Sequence, residues 1–541
     1  MPESRSLKRV AIIGAGPTGL YTFFSLLKAD IPFEIVIYEQ ALEAGVGMPY
    51  SDEENLHLML ANIASIEIPP LTCTYLDWLR RQSAVRLARY NVDMAELDER
   101  QFLPRILLGE YFRDQFLALV QRGKEAGFQI TVNESCQVTD LEEREHEVRL
   151  WAECHEAPVC FDLAIVATGH VWPDEDQATR SFFPSPWSGL LDAHIPACKV
   201  GIIGTSLSAI DAAMAVAIQH GRFVEEADDA LRFEADERSQ TLSITLMSRS
   251  GILPEADFYC PIPYEPLQIA TPAAISHATA DGPDGLLDRV FTLMAREIKA
   301  VDPHWSARIG LRNLDADSFA DAYFEDRHSH DAFRWSAYNL KEVECNKREG
   351  RTVNWRYAIL RLHEAVQDVV PLLTDSDRRR FDVGLARVFV DNYSAIPSES
   401  IRRLLALQRS GIIHLLELGL DYTMDRKPDG TTVNVGGVTH VFRVLIDARG
   451  QKPLKTENLP FGRLRRQLLA AGESRPIVDE DYFLKGLGAA SGRIALGALP
   501  YLMHDRPFIQ GITASAKIGS KIGNAALRVI SARQDVVTIS E

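Results

Sequence analysis

The sequence predicts an α/β protein made of two dinucleotide-binding, Rossmann-like halves with a largely helical insertion, and three observations carry that prediction. The stretch "RVAIIGAGPTGLYTFFSLLKAD", residues 9–30, passes from an apolar strand through three glycines into an amphipathic helix, and "FEIVIYEQ" completes one βαβ unit. The plan recurs in "CKVGIIGTSLSAIDAAMAVAIQHG", whose next strand is "TLSITLMSRSG". Each half then closes on a strand ending in a small-residue corner: Ala167, Thr168 and Gly169 in the first, and Asp447, Ala448, Arg449 and Gly450 in the second.

In chain order, residues 1–195 read as the first part of one dinucleotide-binding domain, with "FQITVNESCQVTDLE", "HEVRLWAEC" and "VCFDLAIVATGH" as consecutive strands. Residues 196–270 open the second, NAD(P)-type domain; within it the carboxylate-rich "FVEEADDALRFEADERSQ" reads as a solvated excursion. From 271 to 405 the pattern turns to helical periodicity, as in "RYAILRLHEAVQDVVPLL" and "SESIRRLLAL", so this stretch reads as an insertion. Residues 406–450 return the strands of the second domain. Residues 451–541 return to the first, ending in a glycine-entered helix, "GITASAKIGSKIGNAAL", whose small residues permit close approach to a ligand or another helix.

At 541 residues the chain exceeds what one hydrophobic core usually supports, which agrees with several domains. Its formal charge of -17 disfavours nucleic acid and anionic membrane as partners. Seven cysteines with no CxxC pair encode neither a zinc ribbon nor a dithiol centre, and they are expected to be reduced, mostly buried thiols. The start, "MPESRSLKRV", lacks the apolar stretch of a signal peptide, and no segment is apolar enough to span a bilayer, so the expected compartment is the cytoplasm.

Gly14, Gly16 and Gly19 fit GxGxxG in its required strand-to-helix setting: one glycine for the tight turn, one for approach of a pyrophosphate, one for helix packing. Glu39, at the end of the next strand, can accept hydrogen bonds from both ribose hydroxyls and would repel a 2'-phosphate. The second turn, Gly204, Ser206 and Ala209, replaces the pyrophosphate glycine by serine, so it either binds a dinucleotide or is kept for packing alone. Arg249 stands where a cation would meet a 2'-phosphate, or is a plain surface arginine. Two such halves, with "ATG" closing the first meander, point to the two-domain flavoprotein type. FAD is then expected in the first half and a nicotinamide, NADPH or NADH, in the second.

The segments "GVGMPYSDEENLHLMLANIASIEIPP", "FLPRILLGEYFRDQF", "ATGHVWPDE", "GILPEADFYCPIPYEPL" and "GALPYLMHD" resemble the YdhS-like FAD/NAD(P)-binding family over essentially the whole chain. More distantly the layout is similar to flavin-containing and N-hydroxylating monooxygenases. That likeness implies that Met48, Pro49, Tyr50 and Asn62 line the flavin ring and that Arg105 is the matching arginine; Asn62 read alone could equally be a helix cap. The cofactor candidates are completed by Pro17, Thr18, Gln40, Val138, Ala167, Thr168 and Gly169, and by Gly511 and Ile512, since "LGALPYLMHD" lacks the glycine–aspartate pair that many flavoproteins use on the ribityl chain. The order of Phe183, Trp187 and His194 departs from the Baeyer–Villiger pattern, which leaves that route unsupported.

His504 and Asp505 are the weak catalytic candidates, with a plain loop histidine as the rival reading. His170 and Trp172 read as packing. His328 and His330, with no third ligand nearby, make a poor metal site, and no metal is expected. The prolines of "YCPIPYEP" hold Tyr259 and Tyr264 as an aromatic wall, for a substrate or flavin or for capping the inserted helices. The expected activity is NAD(P)H-dependent redox chemistry passing electrons to oxygen or a small organic acceptor, with N-hydroxylation as one form. The alternative is a flavin-holding protein whose insertion docks a partner.

Overall fold

The computed structural model describes residues 8–173, 177–226, 230–487 and 492–539. The chain divides into two compact units, residues 1–171 with 451–541 and residues 172–450.

In the first unit, β1 (Arg9–Ile13), β2 (Glu34–Tyr38) and β3 (Gln129–Asn133) are followed by a meander of β4 (Val138–Glu143), β5 (Val148–Ala152) and β6 (Val159–Phe161), and then by β7 (Leu163–Val166). The second unit contributes β8 (Phe182–Phe183), β9 (Lys199–Ile203), β10 (Gly221–Glu225), β11 (Leu231–Ala235), β12 (Ser243–Ser248), β13 (Ile413–Glu417), β14 (Tyr422–Lys427), β15 (Gly430–Val435), β16 (Val438–Phe442) and β17 (Val444–Asp447). The chain then returns to the first unit with β18 (Ile494–Leu496).

The first sheet runs β18-β7-β1-β2-β3 and the second β13-β12-β9-β17-β8, with every neighbouring pair parallel. Parallel strands are covered on both faces, and β1 and β9 accordingly read as unbroken apolar runs, "VAII" and "VGII". The meanders are antiparallel, and β5 alternates buried with half-buried residues because one face packs and the other is wet. Both units therefore have the same plan: five parallel strands and a three-stranded meander inserted before the closing strand.

Three expectations need correction. The solvated excursion is a hairpin, β10 paired with β11, whose Phe223 and Phe233 sit opposite each other with ring centroids 5.1 Å apart; the carboxylates masked a period-two pattern. "FQITVNESCQVTDLE" is two strands in different sheets, split at Glu134–Gln137. The stretch 172–195 belongs to the second unit, because Phe182 and Phe183 pair with Leu445 and Ile446 of β17.

In the first unit the helix Pro17–Leu26 lies against the long helix Gly511–Ile539. A side chain at Gly519 would stand 2.6 Å from the Thr18 carbonyl oxygen, and one at Gly523 would stand 2.5 Å from Ser25 Cβ. The small residues thus let two helix backbones approach. In the second unit, helices from Pro272 to Arg409 form the insertion.

Candidate nucleotide-binding site

The first glycine turn is locked from three sides. Gly14 takes φ +91° and its amide donates to the Tyr38 carbonyl (2.8 Å), and a Cβ there would collide with the Ala167 carbonyl. Gly19 packs on the Gly14 carbonyl with no room for a side chain. A Cβ on Gly16 would stand 3.3 Å from Gly47 Cα, so these two backbones pass each other closely. Pro17 occupies the first helical position, where no amide is needed, and Gly16 caps the helix without a side-chain bond. The amides of Thr18 and Gly19 thus have no helical acceptor, which is the arrangement that binds a diphosphate.

Glu39 is buried, and its carboxylate accepts from the amides of Ala15 (2.8 Å) and Ala41 (3.0 Å). It ties the turn to the end of β2 while holding an anionic acceptor where a ribose would lie. Gln40, next to it, is exposed.

The flavin-ring candidates gather in one loop cluster. Met48, Pro49 and Tyr50 form a single turn of 3₁₀ helix after Gly47, and Asn55 Nδ2 donates to the carbonyls of Pro49 (3.1 Å) and Ser51 (2.9 Å). Tyr50 packs edgewise on Phe112 with centroids 5.7 Å apart; burial pushes its pKa up to about 12, against the pull of Arg105. Arg105 starts the helix Arg105–Glu125, where its amide donates to Met59 O (2.9 Å) and its Nε to Leu60 O (3.0 Å). Half-buried Asn62 follows Ala61, whose amide donates to Leu103 O (2.8 Å).

The other candidates are spread through the first unit. Val138 begins β4, buried in the apolar cluster under the meander. Ala167, Thr168 and Gly169 follow β7, with the Ala167 amide on Ile13 O (2.7 Å) and Gly169 at φ +70°. Gly511, at φ +77°, opens the C-terminal helix, and Ile512 is buried.

In the second unit Gly204 takes φ +124°, its amide donates to Met247 O (2.7 Å), and a Cβ there would stand 3.3 Å from Ala209 Cβ. Ser206 caps the helix Leu207–Ala217 but its side chain accepts no amide bond. The Ala209 amide here donates to the Ser206 carbonyl (3.0 Å), so this helix start is more closed than the first turn. Arg249 is exposed just after β12.

These features fit a dinucleotide at the first turn: an uncapped helix start, a glycine cradle that a Cβ would fill, and a buried carboxylate at the ribose position. Residues 11–171 match the family described as FAD-NAD(P)-binding, and residues 271–393 match the YdhS-like middle domain. The uncharacterized protein YdhS of Escherichia coli (strain K12) is 58% identical over 525 residues, 97% of this chain and 98% of that protein. The chain belongs to the YdhS family. Among solved structures, the reduced form of the ornithine hydroxylase PvdA from Pseudomonas aeruginosa covers 97% of this chain and 99% of its own at 12% identity and TM-score 0.51. The ornithine N-hydroxylase KtzI of Kutzneria sp. 744 covers 98% and 100% at 15% identity and TM-score 0.49. At such identities the likeness is one of fold. The YdhS-like chain thus has a two-domain flavoprotein fold with an FAD-NAD(P)-binding domain.

One sequence reading changes in this family member. Cys136 and Cys154 form a disulfide with Cα atoms 5.6 Å apart, in place of the expected free thiols. The pairing joins the β3–β4 and β5–β6 loops, and spacing alone could not announce it because the meander's register decides which loops meet. His504 and Asp505 have structural partners: His504 Nε2 lies 3.1 Å from Leu454 O, and Asp505 pairs with Arg475 at 3.2 Å. Tyr264 stacks near Tyr357 (6.2 Å) and under the Arg361 guanidinium (4.8 Å), so it caps the inserted helices.

Proposed function

We propose that this YdhS-family chain is an FAD-dependent oxidoreductase that uses NADPH or NADH. FAD, when bound, supplies two-electron redox chemistry with a reduced nicotinamide as hydride source. The chain's own residues bind and orient it. Thr18 and Gly19 offer amides to the diphosphate, Glu39 accepts from the ribose, and the corner of Met48–Tyr50, Asn62 and Arg105 faces the ring end. The observation that carries the reading is the uncapped helix start at Gly16–Gly19 with Glu39 fixed beside it. The glycine at Gly204, with φ +124° and its amide on Met247 O, keeps the turn geometry that a second, nicotinamide-binding turn needs. An organic acceptor or oxygen takes the electrons.

Purified protein is expected to be yellow, or to become so with FAD, and to bleach on anaerobic mixing with a reduced nicotinamide. A polypeptide that stays colourless after soaking in excess FAD overturns the reading. A yellow protein that neither nicotinamide bleaches supports a flavin-holding role, with the insertion as a docking module.

A further inference from the structure

In the second unit a cavity of about 430 Å³ opens between the edge of the sheet and the helical insertion. One wall is Ser250 to Ile252, the loop after β12, with His414 and Glu417 of β13; the other is Arg327, His328 and His330 at the end of the helix Phe319–His328, and the first residues of the helix Ala332–Glu349.

Its position in the fold is informative. In a Rossmann half the residues just after the second strand read the ribose of the adenosine end. In the first unit that place holds Glu39; in the second it holds Ser248, Arg249 and Ser250, a cation between two hydroxyls and no carboxylate. A free ribose diol loses its acceptor there, and a phosphate gains donors.

The opposite wall is built for an anion. Arg327 is 6% exposed; its guanidinium is held by Asp391 (2.6 Å) and the Leu253 carbonyl (2.5 Å), and its buried Nε meets no acceptor. Asp331 spends its carboxylate on the Arg334 amide, so the amides of Ala332 and Phe333 at the start of an 18-residue helix remain for a ligand. Glu417 stands against Gly251 on the sheet side, where it repels a phosphate and accepts a sugar hydroxyl. The cavity is thus polarised, donors at one end and an acceptor at the other, in the manner of a sugar monophosphate.

We propose that this cavity takes the 2'-phosphorylated ribose of NADPH, with His328, His330 and the amides of Ala332 and Phe333 on the phosphate, so that the YdhS-like middle domain selects NADPH over NADH. The inference rests on the nicotinamide reading above. It gives the insertion a role in recognition that the glycine turn alone does not supply.

The test is calorimetric titration of the FAD-loaded full chain with adenosine 2',5'-bisphosphate and with 5'-AMP. The wild type is expected to prefer the bisphosphate at least tenfold. The double variant His328→Gln, His330→Gln, both exposed positions, should lose that preference while keeping its FAD absorbance and its affinity for 5'-AMP. A preference that survives the double variant, or a wild type that shows none, overturns the assignment to this cavity. If flavin is still bleached by a reduced nicotinamide in that case, only the cavity assignment falls. If neither nucleotide binds and neither nicotinamide bleaches the flavin, the underlying reading falls with it.

Discussion

Glu39 shows how one side chain serves fold and ligand together. Its two backbone bonds hold the glycine turn to the end of β2 and fix the carboxylate that the proposed function assigns to a ribose. Glu39→Ala should leave the Ala15 and Ala41 amides unpaired and weaken FAD binding at least tenfold, about 1.4–3 kcal/mol; a fluorescence titration giving unchanged affinity refutes the assignment. In the second unit, Glu255 sits 2.7 Å from both Arg356 and the Trp335 indole nitrogen, while Arg327 pairs with Asp391. Burial opposes the charge on Glu255, yet Arg356 and Arg327 outweigh it and hold its pKa below the usual carboxylate range. Glu255→Ala strands the buried Arg356 guanidinium and should cost about 3–5 kcal/mol in urea unfolding of the second unit. The motif "GILPEADF" shows a carboxylate near prolines, but its partners lie 72 or more residues away, so no local pattern could have assigned them.

At the level of elements, the glycine turns were readable because strand, turn and helix are contiguous and each glycine answers a local steric demand. The hairpin β10–β11 and the disulfide were not, because both depend on which loops the sheet register brings together. The bond between Cys136 and Cys154 closes an 18-residue separation beside the backbone that pairs with Glu39, where the Cys136 amide donates to Glu39 O (2.9 Å). Cys154→Ser should lower the stability of the first unit by about 3 kcal/mol through the freer unfolded chain. Thermal melts of the variant and of the wild type with and without reductant check this, and a wild type indifferent to reductant would show that the link contributes nothing.

Across the whole molecule, the two units repeat one topology while differing in what fills it: the first is closed by a C-terminal helix on glycine-lined contacts, the second by an inserted helical domain. Both bury tyrosines. Burial pushes Tyr38 and Tyr501 of the first unit and Tyr393 of the second up to about 12 from an ordinary 10.0. Because the folded chain resists their ionisation and the unfolded chain does not, stability should be level below about pH 10 and fall between about 10 and 12. Denaturant midpoints measured from pH 8 to 12 check the sign; a midpoint that holds steady through that range refutes it. Hydrophobic runs and glycine spacing along the chain were enough to establish two dinucleotide folds and the geometry of the first glycine turn, since those signals live within thirty residues of backbone. Which loops meet, that Cys136 finds Cys154, and that the insertion's histidines share a cavity with the edge of the second sheet were settled only by tertiary packing, because those contacts join residues whose neighbours in sequence carry no trace of one another.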